Sequence, residues 1–258
     1  MSSSYVGKSA KAVEQVGKVT AQRRTTRHAD TPLISTPHDA RWVNPIDYEW
    51  ADLIDDQDKI RMLIDPQSPY ATNGAYAMGR AMDEEIINKV FATSLTGEDG
   101  TTSTTYASEG HTDIAAGGTG LTVAKLRTAK KNLMGADVDV DNDPLYVAIT
   151  AAQHDNLLSD TQAISLDYNT TPTLVEGKIT SFMGFNFIHT ELLVATTATI
   201  RDCICWARSG IHLGLWNDIT TRIEERADKS FSTQVYVKGT FGATRVEGKK
   251  VQKILCQE

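Results

Sequence analysis

The residues ahead of Asp47 constrain the fold most. They carry seven basic groups (Lys8, Lys11, Lys18, Arg23, Arg24, Arg27 and Arg41) against Glu14, Asp30 and Asp39, a net charge of +4. They hold few large apolar side chains and no sustained helical period, so alone they bury too little surface to offset their ordering entropy. Such a stretch is either a disposable mobile tail or an arm that orders against another molecule. Between Val19 and Trp50, two extended polar segments flank the turn-rich Thr31-Pro32 and Thr36-Pro37, a pattern that predicts a long projecting hairpin.

The whole 258-residue chain has a formal charge of -7, so everything from Asp47 onward carries -11. That balance argues against a protein that coats nucleic acid, which needs many cations on phosphates. The longest apolar runs, such as Leu192–Ala195, fall far short of the roughly 20 residues of a membrane span. Met1-Ser2-Ser3-Ser4 lacks the apolar core of a secretory signal, so the chain is expected to stay where it is made. Cys203, Cys205 and Cys256 cannot all pair within one chain and predict no disulfide framework.

After the basic stretch the pattern becomes that of a packed body. Ser68-Pro69 reads as an N-cap with proline at the first helical position. Ala71, Ala75, Met78, Met82, Ile86 and Val90 then recur at helical spacing and predict one long helix to about Thr93. Gly74 and Gly79 inside it suit close approach to a sheet. Glu98–Thr105 reads as a surface loop. Thr122 caps a second helix with Val123, Leu126, Ala129 and Leu133 on one face, and Lys130 and Lys131 towards its C-terminus. Leu145–Ile149 reads as a short strand, and Thr150 with Gln153 has the capping-box spacing of a helix reaching Leu158. Ser159–Thr173 is polar. Strands are predicted at Phe182–His189, Ile200–Trp206 and Ile211–Leu215, then along Phe231, Thr233, Val235 and Val237, and again through Val251 and Ile254 after the Glu247-Gly248 turn. This mixed order predicts an α+β fold.

No chemical motif stands out. Asp137–Asp143 resembles a calcium loop superficially, but Asn142 and Ala148 stand where an EF-hand needs Gly and Glu. Gly117-Gly118-Thr119-Gly120 precedes a helix without either phosphate-loop spacing. The six histidines have no partner at zinc-site spacing, and Ser209-Gly210 lacks the nucleophile-elbow context. No catalytic, cofactor-binding or metal residue is assigned. An arm, a hairpin and a long helix without a catalytic signature are marks of an assembly module.

Several longer strings are more specific: Tyr48–Asp55, Met62–Tyr70, Ala77–Ile87, Gly117–Arg127, Asp218–Arg226, Gln234–Tyr236 and Gly242–Arg245. In this order they resemble the major capsid proteins of tailed bacteriophages, over roughly residues 40–255; the segment before residue 40 is similar only in character. The resemblance implies the Hong Kong 97-like capsid fold. Residues 1–19 would be the N-terminal arm and 20–53 the E-loop. Residues 54–139 and 223–258 would form the peripheral domain, with a spine helix at about 69–93, and 140–222 the axial domain.

It further implies a structural protein that copies itself into pentamers and hexamers, closing an icosahedral shell around double-stranded DNA in the virion, assembled in the host bacterial cytoplasm. A portal protein and separate scaffolding or decoration proteins would be its other partners, with no cofactor, membrane or sequence-specific DNA contact. Arg23, Arg24, Arg27 and Arg41 would bridge to acidic residues of the adjacent subunit around Asp83, Glu84 and Glu85. No lysine and asparagine pair matches the covalent cross-link of some relatives. Two alternatives remain open on sequence: an encapsulin-like compartment shell of the same fold, and a small enzyme with a dispersed site drawn from His154, His189 and Asp160.

Overall fold

The computed structural model describes residues 2–17, 19–27, 31, 33–36, 38–55, 67–160 and 179–258. The turn residues Pro32 and Pro37, the motif residues Met62–Pro66 and the polar stretch from 161 to 173 lie outside them. Three sheets and one long helix organise the chain. In the first sheet, β1 (Ser2–Ser4), β4 (Ile46–Ile54), β12 (Ile211–Arg226) and β13 (Ser232–Arg245) are arranged in the order β1-β12-β13-β4. The β12 and β13 ladder runs from Ile211 opposite Arg245 to Arg226 opposite Ser232. Thr233, Val235 and Val237 face inward as their alternation predicts. Phe231 does not. It precedes the strand with Ser230 in a left-handed turn, at φ of 60° and 53°, and is left 63% exposed.

The long helix, α1 (Gln67–Val90), starts one residue before Ser68 and stops short of Thr93. Its 24 residues span about 36 Å, enough to serve two cores. Met78 packs with Val237 and Phe241, beside Tyr48 and Trp50. Ile87 and Val90, at the far end, belong to the second core. Gly74 is required by the close approach: a Cβ there would lie 2.7 Å from both the Trp50 ring and a Val237 methyl. Gly79 has open space around it, so the same reading fails there. The helix ends at Val90 because Arg245 Nη1 donates to the carbonyls of Val90 and Ala92, each at 2.8 Å, in place of another turn. Among the described residues no helix is long and apolar enough to cross a membrane.

The second sheet has six strands. β7 (Leu145–Ile149) runs parallel to β9 (Phe185–His189) and antiparallel to β11 (Ile200–Ala207). β8 (Ser181–Phe182) folds back on β9, β10 (Ala195–Thr197) pairs with the start of β11, and β14 (Val251–Gln257) fills the remaining edge of β11. Helices α3 (Val123–Gly135) and α4 (Ala151–Ser159) supply Leu126, Ala129, Leu133 and Leu157 to the core that Val147, Cys203, Cys205 and Ile254 share. Thr122 and Thr150 cap these helices, accepting from Lys125 N and Gln153 N at 3.4 Å. The reciprocal half of the capping box is absent because Gln153 Oε1 instead accepts from Leu121 N at 2.7 Å. Lys130 sits before the last turn, and its ammonium donates to the Met183 carbonyl rather than complementing the helix terminus.

The third sheet changes the reading of the basic stretch. β2 (Ala10–Val16), β3 (His38–Val43), β5 (Ser94–Thr96) and β6 (Thr102–Thr104) form a sheet in that order. Ala10, Ala40 and Val43 are buried, so both flanks of the opening stretch fold into their own subunit. β1 does so as well, with Tyr5 N continuing the ladder to Leu215 O at 2.8 Å. The expected loop at Glu98–Thr105 is narrower than predicted: β5 and β6 close a tight hairpin, and Gly97 and Gly100 turn it at positive φ. A one-turn helix, α2 (Tyr106–Glu109), follows.

These pairings redraw the expected boundaries. A division at 222 would cut the continuous β12, and 46–53 pair with β13 rather than project. β14 does not return to the first sheet but completes the second, and α3 shares the second sheet's core. The ladder partners are far apart in sequence, which is why local patterning misplaced them.

Candidate assembly surface

β2 and β3 are paired up to Val16 opposite His38, which fixes where the intervening segment leaves the body. Every described residue from Val19 to Ser35 is exposed. Arg23, Arg24 and Arg27 lie on this projection, and Arg24 Nε donates to Thr26 O at 3.0 Å in a local turn. Leu33, 99% exposed, and Ile34, 43% exposed, add aliphatic surface to it. The segment thus combines three guanidinium groups with exposed aliphatic surface, an arrangement suited to docking on an acidic, partly apolar partner.

Arg41 does not belong to that set. It is 4% exposed on β3, where its Nη2 donates to Glu109 Oε1. Glu109 also stands 3.8 Å from Nη2 of the fully buried Arg245. One carboxylate therefore serves two buried cations, and among the described residues Arg41 Nε and Nη1 have no hydrogen-bond partner. Burial pulls the Arg245 guanidinium below its usual pKa, with Glu109 opposing the shift. The group joins the third sheet to the end of α1, and its strength is spent inside the subunit. Glu109, 68 residues from Arg41, carried no local sequence signal.

The acidic triplet on α1 also divides. Asp83 and Glu84 are exposed, whereas Glu85 is buried. Glu85 accepts from the Tyr48 hydroxyl at 3.2 Å and lies 3.8 Å from Lys89, so it is removed from the expected surface set. Helical spacing explains this: Glu85 is seven residues beyond Met78 and three beyond Met82, on the same face. Asp83, although at the surface, is partly desolvated beside apolar side chains, which raises its carboxyl above its usual pKa; burial raises Tyr48 likewise, and Glu85 adds to that effect.

Elsewhere, polar groups are occupied with structure. Lys125 is 8% exposed, and its ammonium shares its three protons among the carbonyls of Ala116, Thr119, Gly120 and Leu255, all at 2.8–2.9 Å. The glycine-rich loop is thus folded around a lysine of its own chain. Asp139 accepts from Asn142, and Asp143 accepts from Ser209 N and Oγ, which ties the acidic turn to the start of the second core. His154 and His189 do meet, with ring centroids 4.8 Å apart. His154 Nε2 accepts from Ile179 N, and Asp160 accepts from Val123 N at the start of α3. Among the described residues no group of three or more His, Cys, Asp or Glu could hold a metal ion.

A family model described as phage capsid protein matches residues 1–258. The chain belongs to the phage capsid protein family. No curated protein matches it. Solved structures share the fold at low identity. The structure titled Mycobacterium phage Che8 superposes with a TM-score of 0.69 at 16% identity, covering 96% of this chain and 84% of that one. The capsid of cyanophage P-SCSP1u gives 0.71 at 15%, covering 97% and 84%. The head of Helicobacter pylori bacteriophage KHP40 gives 0.71 at 10%, covering 96% and 85%. The fold of this capsid protein is therefore the Hong Kong 97-like one, and its role is structural.

Proposed function

We propose that copies of this chain assemble into pentamers and hexamers that close an icosahedral shell around double-stranded DNA, as its major capsid protein in the virion. Repeated heterologous contacts that close build rings from one chain. The reading is carried by the pairing of β2 and β3 up to Val16 and His38 and by the exposure of every described residue from Val19 to Ser35, Arg23, Arg24 and Arg27 among them. In this reading it is the E-loop, framed by β2 and β3. The first sheet with α1 forms the peripheral domain, and the second sheet with α3 and α4 forms the axial domain.

The E-loop arginines reach Asp83 and Glu84 on α1 of the adjacent copy. The shell is assembled in the host cytoplasm and joined by a portal, with scaffolding or decoration proteins supplied separately. The acidic balance of the body fits a container that holds DNA without gripping its phosphates. Electron microscopy of the expressed chain tests this. Closed particles or capsomer-sized rings are expected from the wild type, and folded, unassembled subunits from Arg23→Glu/Arg24→Glu/Arg27→Glu. A persistent wild-type monomer, or normal shells from the triple variant, would contradict it.

A further inference from the structure

Between the C-terminal half of α1 and one face of the second sheet, at strands β7, β9 and β11, lies a cavity of about 230 Å³. Asp83, Ile86, Ile188, His189, Trp206 and Ile211 line it. Its walls are mostly apolar, and Ile188 is 43% exposed, so aliphatic surface faces water at this place. The volume is smaller than the roughly 300–1,000 Å³ of small-molecule sites. It suits a side-chain anchor of the kind that concentrates binding energy at interfaces.

We propose that this cavity receives the Leu33-Ile34 pair of a neighbouring copy. The inference rests on the reading of 17–37 as a docking loop and adds the apolar receptor for it. Two features of the surface agree with that occupant. The loop holds the most exposed large aliphatic residue in the described chain, Leu33, which does not enter the cavity of its own subunit. Charge matches as well: Asp83 at the cavity and Glu84 beside it face a loop bearing Arg23, Arg24 and Arg27. Burial already penalises the Asp83 carboxylate, a penalty that an incoming guanidinium relieves. Leu33 lies five residues before His38, where β3 begins, so its backbone can stand up to about 17 Å from that strand.

The test combines assembly with cross-linking. Leu33→Ala should raise the concentration needed for assembly at least about tenfold, the equivalent of losing one buried aliphatic contact. Leu33→Asp/Ile34→Asp should block assembly of subunits whose circular dichroism is unchanged. Separately, full chains carrying Leu33→Cys and Ile188→Cys are mixed before assembly and treated with oxidised glutathione. Two thiols join as one disulfide while the glutathione disulfide is reduced to two thiols. The native cysteines are fully buried and contribute no background. A cross-linked pair in the mixture, absent from either variant alone, supports the inference, even where no shell forms and the shell reading fails. Shells from the double aspartate variant at wild-type concentrations, with no cross-link, overturn it while leaving the shell reading intact. No shells and no cross-link overturn both.

Discussion

Glu109 stands between two guanidinium groups that have almost no access to water, and its position explains why Arg41 is not an interface residue. Removing one partner of a buried ionic group leaves charge uncompensated, which costs more than the net worth of the interaction. Glu109→Ala should therefore lower unfolding free energy by about 3 kcal/mol in urea denaturation. Arg24→Ala, on the exposed loop, should change it by less than about 0.5 kcal/mol. His212 offers a pH-dependent counterpart. Its Nε2 is 2.9 Å from the Tyr5 hydroxyl, its Nδ1 is buried with no hydrogen-bond partner among the described residues, and burial depresses its pKa below 6.5. The unfolded chain then takes up the proton first as pH falls, so stability is full above about pH 6.5 and declines below it. A His212→Gln variant should show a shallower loss between pH 7 and 5, measured by the same denaturation. Equal slopes would remove His212 as a contributor.

At the scale of elements, α1 shows how two glycines in one helix differ. Gly74 marks contact with Trp50 and Val237, so Gly74→Ala should overpack the first core and cost about 1–3 kcal/mol. Gly79 faces open space, and Gly79→Ala should stabilise the helix by about 0.5–1 kcal/mol. Thermal unfolding of the two variants should move in opposite directions. Sequence periodicity revealed α1, α3, β7 and the inward face of β13, because each is fixed by local spacing. It did not reveal β1, which is three serines, or β2, where a register shift between Lys11 and Val13 breaks the alternation; their partners are as distant as Leu213–Leu215 and His38–Val43. It also misassigned β14, since a strand's own pattern does not say which sheet it joins. Of the expected contact residues, Asp83 and Glu84 remain at the surface. Glu85 turned inward by a spacing that was legible, and Arg41 by a partner that was not.

At the scale of the molecule, the charge asymmetry acquires a location. The +4 of the opening residues is not spread over a free tail: Lys11 and Arg41 lie on strands of the subunit, and Arg23, Arg24 and Arg27 are concentrated on the projecting segment. The acidic remainder presents Asp83 and Glu84 beside an apolar cavity. In the proposed assembly the basic loop of one subunit docks at the acidic, aliphatic recess of the next, and assembly by this route should weaken as salt screens the arginines. Light scattering at rising ionic strength should show slower shell formation, and a rate indifferent to salt would argue for contacts dominated by apolar surface alone. Electron cryomicroscopy of the assembled particle tests the account most directly. Density for residues 17–37 of one copy should lie along α1 of the next, with the arginines at Asp83 and Glu84; a segment folded against its own subunit, or one that meets no neighbour, would contradict it.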